Sequence, residues 1–160
     1  MSRLATEDRF ALDPDPLAMG RSTFPFRILV VDDEPSICAL NARALANCGY
    51  RVDAVENGSA AWQILQLQSY DLMITDNNMP KLSGLELIRN LRAASIALPI
   101  IMASGLPPHD EFDRDPVLKP HAILNKPYTV GELLEAVAGV LQTSAASRRP
   151  AMPPVLQPEQ

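Results

Sequence analysis

Four apolar runs in this chain each end on a polar or charged group. Residues 28–31 lead to Asp32-Asp33, 72–75 to Asp76, 100–103 to Ser104, and 122–125 to Lys126. Short apolar runs separated by helix-period segments are the pattern of a parallel sheet covered on both faces. If the runs are parallel strands of one sheet, the groups behind them meet on one edge, because ligands of open α/β sheets bind outside the carboxyl ends of the strands. Three carboxylates, a hydroxyl and an ammonium then converge, a set suited to Mg²⁺ and a phosphoryl group. Taken singly these residues are ordinary: Asp-Asp-Glu suits the start of a helix, Asp-Asn-Asn makes a turn, and a lysine is usually solvated. Their shared place at four strand ends sets them apart. Carboxylates about 4 Å apart repel by roughly 4 kcal/mol per pair at an effective dielectric near 20, so a cation is expected among them. All-oxygen ligation points to Mg²⁺.

The alternation extends over residues 26–142, which fit five β-α units. The first helix opens with Pro35 and is expected to bury Ile37, Leu40, Ala44, Leu45 and Cys48 on one stripe. A short second strand, 51–55, turns through Asn57-Gly58 into a helix carrying Trp62 and Leu65. Ser83-Gly84-Leu85-Glu86 and Thr129-Val130-Gly131-Glu132 have the form of capping boxes. The last helix is expected to bury Val130, Leu133, Leu134, Val137, Val140 and Leu141. Segment 106–121 holds Pro107, Pro108, Pro116 and Pro120, so only a short piece around 110–115 has room to be helical. Residues 1–25 mix charges with Pro14 and Pro16 and read as a flexible arm, and 143–160 as a disordered, proline-rich tail.

Composition narrows the function classes. The 160 residues are 47% hydrophobic, enough for one sizeable core. A net charge of -5 disfavours broad electrostatic binding to DNA or to an anionic membrane, so no direct nucleic-acid or membrane partner is expected. No apolar stretch approaches the roughly 18 to 20 residues of a bilayer span, and the N-terminus lacks the order of a secretory signal. A soluble, cytoplasmic protein is expected. Cys38 and Cys48 fall on one predicted helix about 15 Å apart, too far for a disulfide, and read as reduced core thiols.

Three segments carry a resemblance: Ile28-Leu29-Val30-Val31-Asp32-Asp33-Glu34; Asp76-Asn77-Asn78-Met79-Pro80 with Gly84 after it; and Asn125-Lys126-Pro127-Tyr128. In this order, and at these intervals from Ser104, they resemble the receiver domain of two-component response regulators over residues 26–142. The resemblance implies a doubly wound, five-stranded parallel sheet in the flavodoxin-like order 2-1-3-4-5, with helices on both faces. It makes Asp76 the phosphoacceptor, and gives Mg²⁺ the ligands Asp32, Asp33, Asp76 and the Asn78 backbone carbonyl. It makes Ser104 and Lys126 the partners of the phosphoryl oxygens, Ser104 and Ile123 the switch positions, and Lys126-Pro127 a candidate cis peptide that aims Lys126 inward. The implied partners are a histidine kinase or a histidine phosphotransfer protein as donor, and a downstream effector. The implied chain is a stand-alone, chemotaxis-receiver-like regulator without a turnover activity of its own, since no effector domain fits in the remaining residues.

Two departures bear on output. Ile123 stands where the family often has an aromatic residue that rotates inward, and the proline-rich segment 106–121 replaces a regular fourth helix. Other classes fit less well. A phosphatase of the haloacid dehalogenase type wants its nucleophile in an Asp-x-Asp pattern directly after the first strand, where this chain has Asp32-Asp33-Glu34. A phosphorylation-independent binding module has no need of the acidic pair, Asp76, Ser104 and Lys126 together. A flavin carrier wants a Gly/Ser/Thr-rich phosphate loop after that strand.

Overall fold

The computed structural model describes residues 25–147; the expected arm up to residue 24 and the tail from residue 148 lie outside the described residues. Within this span the elements are β1 (Arg27–Val31), α1 (Pro35–Asn47), β2 (Arg51–Val55), α2 (Gly58–Leu67), β3 (Leu72–Thr75), α3 (Gly84–Ala93), β4 (Ile100–Ser104), α4 (His109–Arg114), a 3-10 turn (Pro116–Leu118), β5 (Ala122–Asn125) and α5 (Val130–Ser147). All strand pairs are parallel and the sheet order is β2-β1-β3-β4-β5, the order that the resemblance implies.

The two-residue period of the strands divides the core. Leu29, Val31, Met73, Ile100 and Met102 face Ala61 and Leu65 of α2 and Leu87, Ile88 and Leu91 of α3. Ile28, Val30, Leu72, Ile74, Ile101 and Ala103 face Cys38 and Leu45 of α1 and Leu133, Val137, Val140 and Leu141 of α5. Because both faces are covered, the central strands are buried along their whole length, and a continuous apolar run is the consequence.

The helix starts follow local chemistry. Pro35 occupies the first turn of α1, and the Asn57 side chain accepts the Ala60 N–H at 2.8 Å to open α2. Ser83 and Glu86 form a reciprocal capping box on α3, and Thr129 and Glu132 exchange the same pair of bonds on α5. The four prolines of 106–121 leave α4 six residues long, after which Asp115 caps the 3-10 turn by accepting from Val117 N–H. Phe112 and Leu118 plug this irregular segment into the first core layer.

Three expectations change. The buried face of α1 is Cys38, Asn41 and Leu45; Leu40 is 56% exposed and Cys48 sits exposed in the C-cap. α1 carries more apolar residues than one stripe needs, and the docking of Cys38 and Leu45 against the sheet decides which of them go under. On α5, Val130 is exposed and Leu134 half-buried, because both border an open groove shared with Leu40 and Ala44 of α1. α5 also continues to Ser147, past the boundary expected at Gln142, with Thr143 and Ser147 hydroxyls donating to carbonyls four residues back.

One close approach fixes the active edge. A side-chain carbon at Gly84 would run into the Asp76 carbonyl and the Asn77 backbone, so the start of α3 lies directly against the end of β3. Gly84→Ala is therefore expected to lower stability by about 1–3 kcal/mol in urea unfolding, since backbone must move to admit the methyl group. Gly139→Ala, on the exposed side of α5 with nothing within 4 Å, is the control and should stabilise by about 0.5–1 kcal/mol.

Candidate functional site

The carboxyl ends of β1, β3, β4 and β5 form one edge, and the residues following β1, β3 and β5 meet there. Asp32, after β1, is buried; its Oδ1 accepts the Glu34 N–H at 2.9 Å and its Oδ2 lies 3.0 Å from Lys126 Nζ. Asp76, after β3, uses Oδ1 to accept the N–H groups of Asn77 at 2.6 Å and Asn78 at 3.3 Å. Its Oδ2 lies 3.2 Å from the same Lys126 Nζ. Asp33 is exposed, yet Asp32, Asp33 and Asp76 each bring a carboxylate oxygen to within 4.8 Å of the others. One ammonium thus bridges two carboxylates of a three-carboxylate cluster.

The loop after Asp76 is held by its own polar groups. The Asn77 carbonyl accepts from Met79 and Gly84 N–H, and the Asn77 side chain accepts the Leu85 N–H at 3.0 Å. The Thr75 hydroxyl, fully buried, donates to the Asp76 carbonyl at 2.9 Å. Asn77 and Thr75 are support residues that the sequence reading passed over; an Asn directly after a strand-ending Asp was the available signal. Among the described residues no backbone hydrogen bond ends on the Asn78 carbonyl.

Ser104 closes β4 and is fully buried. Its hydroxyl oxygen accepts the Leu106 N–H at 3.2 Å, and its carbonyl accepts the Lys126 N–H at 3.0 Å, so it fixes the backbone of the lysine. No hydrogen bond joins the Ser104 hydroxyl to the carboxylates among the described residues. Lys126-Pro127 is a cis peptide, as the resemblance implies. Ile123 lies half-buried in β5 and packs against the first core layer, with β4 between it and the strand that leads to Asp76. Tyr128, two residues past Lys126, accepts a hydrogen bond from Asn41 at 2.7 Å.

Electrostatics follow from this packing. Burial pulls the Lys126 ammonium down, but the hydrogen bond to Asp32 and the charges of Asp32 and Asp76 outweigh it and hold its pKa above the ordinary lysine value. Lys126 is therefore a fixed cation across the physiological range. Burial pushes the Tyr128 phenol and the Cys38 thiol up, so both are neutral. Three carboxylates against one ammonium leave an excess of negative charge. Hard oxygen donors, one of them exposed, fit a small divalent cation that keeps several waters, which is the habit of Mg²⁺.

Comparison with known proteins agrees with the geometry. A family model described as the response regulator receiver domain matches residues 28–138. The transcriptional regulatory protein CusR of Escherichia coli K12 is 29% identical over 120 residues, which cover 75% of this chain and 53% of CusR. The sensor protein EvgS of the same organism is 45% identical over 73 residues, 46% of this chain and 6% of EvgS. The chain thus spans about half of the first of these relatives and a small part of the second. Among solved structures, a response regulator receiver protein from Pseudomonas putida superposes with a TM-score of 0.67 at 34% identity, covering 74% of this chain and 99% of that one. The chemotaxis protein CheY4 of Vibrio cholerae gives a TM-score of 0.67 at 27% identity, covering 72% and 98%. With its 2-1-3-4-5 sheet and an acidic cluster at the carboxyl edge, this chain belongs to the response regulator receiver domains, the phosphoacceptor family of two-component signalling.

Proposed function

We propose that this chain is a stand-alone receiver in which Asp76 accepts a phosphoryl group from a phosphohistidine of a sensor kinase or phosphotransfer protein. The observation that carries the reading is the position of Asp76: its Oδ2 is 3.2 Å from Lys126 Nζ and its carboxylate shares a 4.8 Å cluster with Asp32 and Asp33. A carboxylate is a competent nucleophile toward phosphorus. An Asp76 oxygen bonds to phosphorus as the phosphorus–nitrogen bond to the donor imidazole breaks, and water later returns Asp76 and inorganic phosphate. Charge in such a transfer spreads over three equatorial oxygens, and each needs a partner.

In this reading Lys126, already fixed between Asp32 and Asp76, takes one oxygen. Ser104 takes another: its oxygen accepts from Leu106, which leaves the hydroxyl proton to donate. Asp32, Asp33, Asp76 and the Asn78 carbonyl would hold Mg²⁺, whose charge offsets the carboxylates and the remaining phosphoryl oxygen. Receiver domains in general bind Mg²⁺ in such an acidic pocket. The chain is then the self-modified substrate of the transfer rather than an enzyme with turnover on a separate compound. A cytoplasmic site of action belongs to the proposal; among the described residues no helix is long and apolar enough to cross a membrane. The downstream effector is proposed to be a protein.

Output is proposed to run through order in segment 106–121. Ile123 is β-branched and apolar, so it gains little by alternating between interior and solvent in the way an aromatic side chain does. The short α4 and its 3-10 turn, anchored by Phe112 and Leu118, begin right after Ser104 and Leu106. A Ser104 hydroxyl drawn toward a phosphoryl group alters its bond to Leu106 first.

Incubation with Mg²⁺ and acetyl phosphate should add one phosphoryl group to the wild type, read by intact mass, and none to Asp76→Asn. Equal labelling of the variant overturns the assignment. Asp33→Ala should weaken Mg²⁺ binding by roughly ten-fold or more in calorimetry and remove most labelling, because one charged ligand is lost; an unchanged affinity places the metal elsewhere. Amide exchange with and without beryllofluoride should change in residues 104–126. Changes confined to α1 and α2 would refute the proposed route of output.

A further inference from the structure

The β5–α5 loop carries Lys126, and the proposed reaction requires that ammonium to stay beside Asp76. Three attachments hold the loop. The Lys126 N–H donates to Ser104 on β4, Thr129 and Glu132 close the cap of α5, and the Tyr128 hydroxyl accepts from the Asn41 side chain at 2.7 Å. The first two are backbone and cap bonds that the fold itself demands. The third joins the loop to α1, an element that starts two residues past Asp33. Asn41 is only 4% exposed, on a helix face otherwise made of Cys38 and Leu45, and Tyr128 packs against the second core layer. A buried amide left without its partner costs more than a typical hydrogen bond gains, so this pair fixes the distance between α1 and the loop.

We propose that Asn41 and Tyr128 are positioning residues, which hold the Lys126 loop against α1 and so keep the ammonium registered between Asp32 and Asp76. The proposal rests on the phosphoacceptor reading above. Asn41 and Tyr128 touch neither the donor nor the phosphoryl group; they act through the lysine. Losing the phenolic hydroxyl strands the Asn41 amide in an apolar wall, and the loop must shift or admit water to satisfy it. Replacing both partners by apolar groups removes that demand, and such double replacements are close to neutral in stability, but they leave the loop without its tie to α1.

The experiment compares wild type, Tyr128→Phe and the double variant Asn41→Leu/Tyr128→Phe, with acetyl phosphate and Mg²⁺ as the probe. Labelling rate, Mg²⁺ affinity by calorimetry and the melting curve are followed for each. Tyr128→Phe is expected to label about three- to ten-fold more slowly at a temperature well below its melting point, with Mg²⁺ affinity unchanged. The double variant is expected to melt closer to wild type but to label as slowly as Tyr128→Phe, because the apolar pair restores packing and not the bond. A Tyr128→Phe protein that melts earlier but labels at the wild-type rate shows a merely structural bond and overturns the proposal. So does a double variant that labels at the wild-type rate, because the loop then holds the lysine without the bond. A fall in Mg²⁺ affinity in step with the rate places the defect at the acidic cluster and likewise overturns it. If the wild type itself takes no label on Asp76, the phosphoacceptor reading fails instead, which separates the two.

Discussion

The ammonium of Lys126 is what allows this sheet edge to exist. Asp32 and Asp76 are both nearly buried, and their carboxylates face the same Nζ at 3.0 and 3.2 Å. Without that cation two like charges would share a desolvated edge, and breaking a buried pair by removing one partner costs about 3–5 kcal/mol. The pair is not there for stability alone, since well-packed apolar residues serve stability as well. An acidic edge that is only partly neutralised suits a site that gains further positive charge and then an anion.

Everything that delivers Lys126 to this place is long-range. The lysine is 94 residues from Asp32 and 50 from Asp76 along the chain. It arrives because β5 pairs with β4 in the register Ser104 with Asn125, and because β4 pairs with β3 in the register Thr75 with Met102. Each register is set by which side chains fill each of the two core layers, since a slip of one residue would exchange a strand's residues between the layers. The site therefore inherits its precision from two core layers it does not touch.

The far side of the sheet is built differently. Between β4 and β5 the prolines shorten α4 to six residues and add a 3-10 turn, and Phe112 and Leu118 are its anchors in the first core layer. Fewer buried side chains mean a lower local opening free energy than in α3 or α5. A segment of that kind, starting immediately after Ser104, is where a change at the site meets the least resistance.

The strand ends, the capping boxes at Ser83 and Thr129, the proline limit on α4 and the three motifs of the acidic edge were all legible in the sequence, because each rests on local chemistry or on a period of two. The face of α1 was not: Leu40 and Cys48 fit a helical stripe as well as Cys38 and Leu45 do, and docking against the sheet chose between them. Nor could the chain alone show that Asn41 lies under that helix and pairs with Tyr128, since its place among apolar neighbours reads equally well as an exposed turn of polarity. The support given by Thr75 was hidden for the same reason, whereas the Asn after Asp76 did signal a turn. The sequence by itself determined which residues stand at the strand ends and in what order. Only the tertiary structure decided which oxygen faces which nitrogen, because strand register and helix docking are set by packing between segments distant in the chain, and local pattern carries no information about those contacts.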